Sequence, residues 1–446
     1  MKAKKLLAML LACMMLCLVA CGDNATTTTE ANKETNAPET NAPETNAPET
    51  NAPENNEPIK VTLFDNLGWT TLNEILIAAA AEYNALGRGY EVTFVSGSEN
   101  DLWSALGSAD KPDAWMITYG DIATRAKEGL IQPIDDMLPA EFFEDYTDTI
   151  KDMTSYAGNY YAIPIYTEVQ CAMYYRKDLL EAAGLEVPKT WDELLTVAKA
   201  LTTDEMAGVE MPVSTSGDFA WCTIGMQYGA GGQFPVNDDW TQAQVNEGYL
   251  EMANFFKELN DAGVLPAEPT AYDSLTNLEN GKVAIKLSSG WLVDYIETDC
   301  PNNAENIGVA LPPSKDGAED AITTTLNGWC FVMREGSEAA EGIADFLYWL
   351  NVEETEKVLA MYTTANGSIV PAFQSQKDWI SANIIPTKSY ASVLIALADH
   401  AVGMPGYDGG IKQAIADMVT KVVNGELSGD DAIKYANETI QYILDK

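Results

Sequence analysis

From Ile59 onward the chain switches repeatedly between two hydrophobic periods, and the order of the switches decides the class of fold. IKVTLFDN (Ile59–Asn66) alternates apolar and polar residues, the period of a strand, and TLNEILIAAAAEYNAL (Thr71–Leu86) follows with helical spacing. YEVTFVSG then reads as a second strand, PDAWMITYGD (Pro112–Asp121) as a third, buried one, and IATRAKEGLIQPID as a helix stopped near Gly129. Strands that alternate with helices imply an α/β domain with a largely parallel sheet. Ligands of such sheets meet the loops at the carboxyl ends of strands. The loops that begin at Asp65 and Tyr119 are therefore the expected site walls.

What precedes Ile59 is of a different kind. Lys2, Lys4 and Lys5 lead into an almost wholly apolar run from Leu6 to Ala20, too short to span a bilayer comfortably, which takes roughly 20 residues. A basic start and a short apolar core describe a signal peptide. Leu18-Val19-Ala20-Cys21 resembles the lipobox of bacterial lipoproteins, which implies cleavage before Cys21 and lipidation of its thiol. A short transmembrane anchor and an ordinary cleavage site are the alternatives. Residues 21–57 then hold four copies of Glu-Thr-Asn-Ala-Pro between Glu34 and Pro53, with nothing larger than Ala in the repeat to bury. A proline in every repeat blocks helix and sheet alike, so this is expected to be a disordered tether with a reach of about 30–36 Å.

Charge and rare residues exclude several function classes. The formal net charge is −41, from 67 acidic against 26 basic residues, and such a surface repels nucleic acid and anionic membrane. Beyond Cys21, the cysteines Cys171, Cys222, Cys300 and Cys330 are widely spaced with no CxxC, so no zinc ribbon is indicated; buried free thiols or one disulfide both fit. The one histidine, His400, reads as structural or exposed, and no HExxH, Walker A, GxSxG or EF-hand pattern occurs. No metal or cofactor is expected.

The later stretches carry more. CAMYYRKDLLEAAG is read as a helix capped by Gly184, KTWDELLTVAKALT as a helix with a Thr190/Glu193 capping box, and GYLEMANFFKELNDAGVLP as an amphipathic helix closed by Gly263. Together with LENGKVAIKLSSGW, IGVALPPSKDG, GWCFVMREGSEAAEGIADFLYWL and QAIADMVTKVVNGELSGDDAIKYANETI, the stretch YAIPIYTEVQCAMYYRKDLLEAAGLEVPKTWDEL resembles the extracellular solute-binding proteins of ABC importers, the group that contains maltose-binding proteins. Two departures stand out: the family often has Gly-Pro-Trp where this chain has Ser289-Gly290-Trp291, and glycines near residue 410 replace an aromatic found in some relatives.

The resemblance implies a two-lobed periplasmic-binding-protein-like α/β fold (type II), with ligand trapped in the cleft between lobes joined by hinge segments. Residues 59–165 and 329–375 would form the N-terminal lobe, and 166–328 and 376–446 the C-terminal one. Crossings are expected near Ile163–Glu168 and Thr323–Trp329, with a third after TTANGSIVPAF. The implied protein is a monomer held outside the cell by lipid on Cys21, its partners a small-molecule solute and the transmembrane subunits of an ABC permease.

A sugar cleft needs flat aromatics together with carboxylates or amides that accept hydroxyl protons. On position along the chain, the candidate contacts are Asp65, Asn66, Trp69, Tyr119, Asp121, Tyr166, Glu168, Trp221, Trp291, Asn327 and Trp329, followed by Asn366 and Tyr407. Trp103, Trp115, Trp191, Trp240, Trp349 and Trp379 are assigned to packing or surface. The rival readings are a non-sugar solute such as a polyamine or peptide, and an extracellular glycoside hydrolase, which would need two carboxylates about 5–9.5 Å apart.

Overall fold

The computed structural model describes residues 57–212, 222–237, 239–267, 273–364, 368–387, 390–404 and 409–446. Cys21, Trp221, Asn366 and Tyr407 lie outside them.

The first lobe is organised by β1 (Ile59–Asp65), β2 (Tyr90–Ser96) and β3 (Ala114–Thr118), which run parallel. Helix α1 (Thr70–Ala85) covers them with Leu72, Leu76, Ala79, Ala80 and Tyr83, the one-sided spacing of a helix on a sheet. A small hairpin pairs β4 (Ser155–Tyr156) with β5 (Asn159–Tyr160). The chain then returns through β6 (Ala162–Val169) and crosses into a second sheet of β7 (Ala172–Arg176), β8 (Ala207–Glu210), β9 (Val283–Ser288) and β10 (Ile307–Ala310), in the order β10-β7-β9-β8. It comes back along β11 (Thr324–Met333) and ends its work in the first sheet with β12 (Ala401–Gly403). That sheet is ordered β12-β11-β3-β1-β2, with β6 on the free side of β11.

The second lobe packs helices on its sheet. Helix Trp191–Leu201 starts at the expected capping box: the Thr190 hydroxyl accepts from the Glu193 N–H at 3.1 Å, and the Glu193 carboxylate accepts from the Thr190 N–H at 3.2 Å. Helix Glu247–Asp261 ends before Gly263, which takes a φ of 67°. The last two helices, Gly409–Val423 and Asp430–Leu444, bury Ile411, Ile415, Ala432 and Ala436 in the same core.

Several expectations change. CAMYYR is not the start of a helix: Ala172–Arg176 is a central strand, and the helix occupies only Lys177–Ala183. Met173 and Tyr174 are fully buried, and a short apolar run buried on both faces carries no period that separates strand from helix. The first crossing comes later than Ile163–Glu168, because β6 stays in the first sheet through Val169 and β7 opens the second at Ala172. There the Gln170 N–H donates to the Thr325 carbonyl at 2.8 Å and the Cys171 N–H to the Thr324 hydroxyl at 2.8 Å, tying the outgoing crossing to the returning strand. Residues 376–404, expected with the second lobe, instead add β12 to the first sheet, while Ile380, Leu394 and Leu397 join an apolar cluster that reaches both sheets. All four described cysteines are buried, and none is joined in a disulfide.

Two residues explain how β6 and β11 lie together. Pro164 sits mid-strand, where it has no N–H to give; the register slips there, with Trp329 opposite Tyr166 but Cys330 opposite Pro164. Gly328 has a φ of 139°, and a Cβ on it would lie 2.4 Å from the Tyr166 carbonyl oxygen.

Candidate functional site: a cavity at the gap in the first sheet

Three strand ends converge on one place. β12 runs parallel to the start of β11, with Gly403 opposite Leu326, whereas β3 runs antiparallel to its end, with Thr118 opposite Trp329. Asn327 and Gly328 therefore have no strand partner on that side, although on the other they face Glu168 and Thr167 of β6. The carboxyl ends of β3 and β12 point toward one another across this gap. Such a crevice, where strand direction changes, is where open α/β sheets leave room for a ligand.

A cavity of about 330 Å³ occupies the gap. Thr118, Asn327, Trp329 and Met404 contribute from the strands and their ends, and Asn66, Gly120 and Asp121 from the loops after β1 and β3. Helices α2 (Glu99–Leu106) and α3 (Ile122–Lys127) add Glu99, Leu102, Trp103 and Arg125. Lys412 comes from helix Gly409–Val423 of the second lobe, so both lobes line the space. Two acids and two cations stand in its wall, which leaves it without net charge while the chain as a whole is strongly negative.

Neighbouring residues divide sharply between structural and open roles. Asp65 is buried, its carboxylate accepting from the Leu67 N–H at 2.9 Å and the Asn73 side-chain amide at 2.7 Å, so it braces the turn after β1. Asn66, one residue on, lines the cavity and has a buried Oδ1 with no hydrogen-bond partner. Tyr119 is likewise internal: it is buried and its hydroxyl donates to the Tyr166 carbonyl at 3.3 Å. Asp121 lines the cavity, with one oxygen accepting from the Thr118 hydroxyl at 2.8 Å. Asn327 is 3 % exposed, lines the cavity, and also has an Oδ1 without a partner. A buried polar atom left unsatisfied costs about 1–3 kcal/mol, so each of these oxygens calls for a donor, although neither is itself exposed to the cavity.

The remaining candidates frame the space. Trp69 packs edge-on to Tyr166, ring centroids 5.6 Å apart, and both belong to the apolar core beside the cavity rather than its wall. Trp329 is half-buried and lines it. Trp291 lies outside it, in the turn Gly290–Tyr295, edge-on to Tyr295. Gly290 presses that turn against β6: a Cβ there would meet the Val169 carbonyl at 2.8 Å. Glu168 stands opposite Asn327, its Oε1 accepting from the Gln170 amide at 3.3 Å. Burial pushes its carboxyl up to about 7, against the smaller downward pull of that bond.

The position-based reading missed Glu99, Trp103, Arg125, Met404 and Lys412. A signal for the first two was present: Ser98 and Asp101 form a capping box directly after β2, which starts α2 at the carboxyl end of a strand, beside the site. Glu99, Leu102 and Trp103 share one face of that helix. Met404 had none, because it reaches the cavity through the pairing of β12, whereas Lys412 arrives on a helix seated in the second core. Among the described residues no group of His, Cys, Asp and Glu is arranged to hold a metal, and no helix is long and apolar enough to cross a membrane.

Residues 69–357 match the family described as bacterial extracellular solute-binding protein. A Brucella abortus protein named only for binding is 27% identical over 267 residues, which cover 57% of this chain and 60% of that protein. The maltotriose-binding protein of Pyrococcus abyssi is 28% identical over 270 residues, 58% of this chain and 55% of its own. The chain thus spans little more than half the length of these curated relatives. Among solved structures, the cyclic α-maltosyl-1,6-maltose binding protein from Arthrobacter globiformis shares the fold at a TM-score of 0.72 and 22% identity, with 87% of this chain and 99% of that one covered.

Proposed function

The chain belongs to the bacterial extracellular solute-binding proteins, a family of binding proteins and not of enzymes, and on that premise we propose that its cavity captures a neutral sugar or oligosaccharide. The carrying observation is the wall of one cavity, in which the side-chain amides of Asn66 and Asn327 stand with the indoles of Trp103 and Trp329. Sugar hydroxyls supply donors, and sugar rings supply apolar faces for indole. The balanced charge of the wall favours a neutral solute over a polyamine. The named ligands of two relatives, maltotriose and a cyclic maltosyl-maltose, belong to the same class.

In this reading the lobes close over the solute about the crossings at Gln170–Cys171 and Thr323–Thr324, and contacts from both lobes, Asn327 and Lys412 among them, supply the differential affinity that closure requires. Cys21 carries the lipid, residues 22–57 are the leash, and the loaded chain delivers its solute to the transmembrane subunits of an ABC permease. A single acyl chain anchors only marginally, whereas two hold durably.

The test is a thermal-shift and calorimetric screen of neutral mono- and oligosaccharides. One ligand per chain should bind, with a melting temperature that climbs with its concentration. Asn327→Ala should weaken that ligand by about 1–2 kcal/mol, roughly fivefold to thirtyfold, with the unliganded melting point little changed. A broad panel that leaves the melting temperature unmoved would count against the sugar assignment. For the anchor, Cys21→Ala should release the protein to the medium; retention at the membrane would remove the lipid from the account.

A further inference from the structure

We propose that Glu168 is a positioning residue that acts in its protonated form: its carboxyl O–H donates to the sealed Oδ1 of Asn327 and so turns the Asn327 amide nitrogen toward the cavity. The pair stands on the fold alone, while its effect on affinity rests on the saccharide reading above.

The register of β6 and β11 carries the inference. Glu168 lies directly opposite Asn327, and opposed residues of antiparallel strands put their side chains on one face, with Cβ atoms about 4.5–5.5 Å apart. Asn327 and Trp329, two residues apart on β11, both line the cavity, so this is the face that borders it. On its other side Asn327 has the gap between β12 and β3. The two ends of its amide are unequal: Oδ1 is sealed and has no partner, whereas Nδ2 is not among the sealed atoms. The nitrogen is thus the end left to the cavity. The oxygen lies away from the gap, toward β6, where Glu168 is the neighbour on that face.

An ionised carboxylate only accepts and cannot satisfy that oxygen, but a carboxylic acid can. Neighbouring donors on the same strand and crossing are committed: the Gln170 amide to Glu168 Oε1 at 3.3 Å, and the Thr167 hydroxyl to the Val370 carbonyl at 2.8 Å. With Oε1 taken as an acceptor, Oε2 is left to carry the proton. Burial supplies the protonation, holding the carboxyl at about 7 against the pull of the Gln170 bond. Once Oε2 ionises, two acceptors confront each other. The amide relieves this by turning over, with Nδ2 to the carboxylate and Oδ1 to the cavity. One point of the wall then changes from donor to acceptor, so affinity for a solute that accepts there is whole well below pH 7 and falls as pH rises through it.

The charged groups on the elements packed against β6 are engaged elsewhere. Asp148 pairs with Lys151 at 3.4 Å, Asp399 pairs with Lys377 at 2.8 Å, and Asp152 is exposed. Asp294, on the turn Gly290–Tyr295, accepts from the Ser368 hydroxyl at 2.6 Å, and Tyr295 is exposed. Asp65 and Asp121 hold the bonds described above, and Lys412 enters the wall from the second lobe. Tyr166 on β6 and Cys330 on β11 are buried, and burial keeps both neutral.

The experiment has two readouts. Heteronuclear NMR follows the Asn327 side-chain amide in the unliganded wild-type chain and in Glu168→Gln, with Asn327→Ala to assign the signals. Calorimetry measures maltotriose affinity between about pH 5.5 and about pH 8.5 in these proteins and in Glu168→Leu. The amide signals should titrate with a midpoint near 7 in wild type and stay still in Glu168→Gln, whose own amide donates at every pH. Wild type should bind maltotriose about threefold to tenfold more weakly at the upper end of the range than at the lower. Glu168→Gln should hold the low-pH affinity throughout, Glu168→Leu should be weak throughout, and Asn327→Ala should be weak with no pH dependence. Amide signals that do not move with pH overturn the pair, and a pH dependence of affinity that persists in Asn327→Ala overturns the positioning role. If neither maltotriose nor any other neutral saccharide binds, the saccharide reading falls, while the amide titration still decides the pair.

Discussion

At the scale of single residues, adjacent positions have opposite duties. Position along the chain singled out the turn after β1 and the turn after β3, and both do border the cavity, yet Asp65 and Tyr119 point inward while Asn66 and Asp121 line the space. Sequence locates a loop at a strand end; which of two neighbours faces out depends on the partners each finds, such as Asn73 for Asp65 and the Tyr166 carbonyl for Tyr119. Glu168 shows the energetic side of such placement. Burial holds its carboxyl at about 7, above the ordinary carboxylate value of 4.5, so the folded chain keeps a proton that the unfolded chain releases. The stability this group contributes is whole below about pH 4.5 and is lost as pH rises through about 7. Glu168→Gln, which keeps the shape without the charge, should therefore be near neutral at about pH 5 and stabilise the unliganded protein by about 1–3 kcal/mol at about pH 8, allowing for its partial exposure. Melting curves of both proteins across that interval check this; parallel pH profiles would show that the carboxylate is ionised without cost.

At the scale of elements, the strands and helices that were legible are those with an unambiguous period or an explicit cap. β1, α1 and the capped helix Trp191–Leu201 fall where the spacing puts them. β7 does not, because its apolar run is buried on both faces and gives no alternation. β12 was invisible for another reason: three residues make no pattern, and their strand character comes from pairing with Thr324–Leu326, far away in the chain. The cavity exists because β12 and β3 share one side of β11 and leave Asn327 and Gly328 uncovered, so its outline is a property of pairing and not of any local segment. Gly328 is the residue that lets β11 take this course. Gly328→Ala puts a Cβ against the Tyr166 carbonyl at 2.4 Å, and against the Thr167 Cα at 2.8 Å, in a backbone conformation that L-residues avoid. A loss of about 2–4 kcal/mol in chemical denaturation is expected, with weakened ligand binding, since Asn327 must shift with its neighbour. A variant as stable as wild type would show that β6 and β11 can part without cost.

At the scale of the whole molecule, charge is the term that local structure does not display. The formal net charge of −41 acts on every charge at once, and a compact chain so far from neutrality repels itself. The Debye length falls from about 30 Å at 0.01 M to about 10 Å at 0.1 M ionic strength, so added salt removes much of the long-range repulsion and leaves contact pairs largely intact. The melting temperature of the unliganded protein should accordingly rise between these conditions. The cavity wall, with Glu99 and Asp121 set against Arg125 and Lys412, carries no such excess. Affinity for a neutral saccharide should then stay nearly constant over the same range. A polycationic solute would behave differently, drawn in by the surrounding field and released as salt screens it. Titrations at low and moderate ionic strength with the best saccharide and with spermidine separate the two: a salt-independent saccharide constant and no cavity-dependent spermidine binding are expected. Spermidine binding that falls with salt and is abolished by Asn327→Ala would move the site to the cationic class.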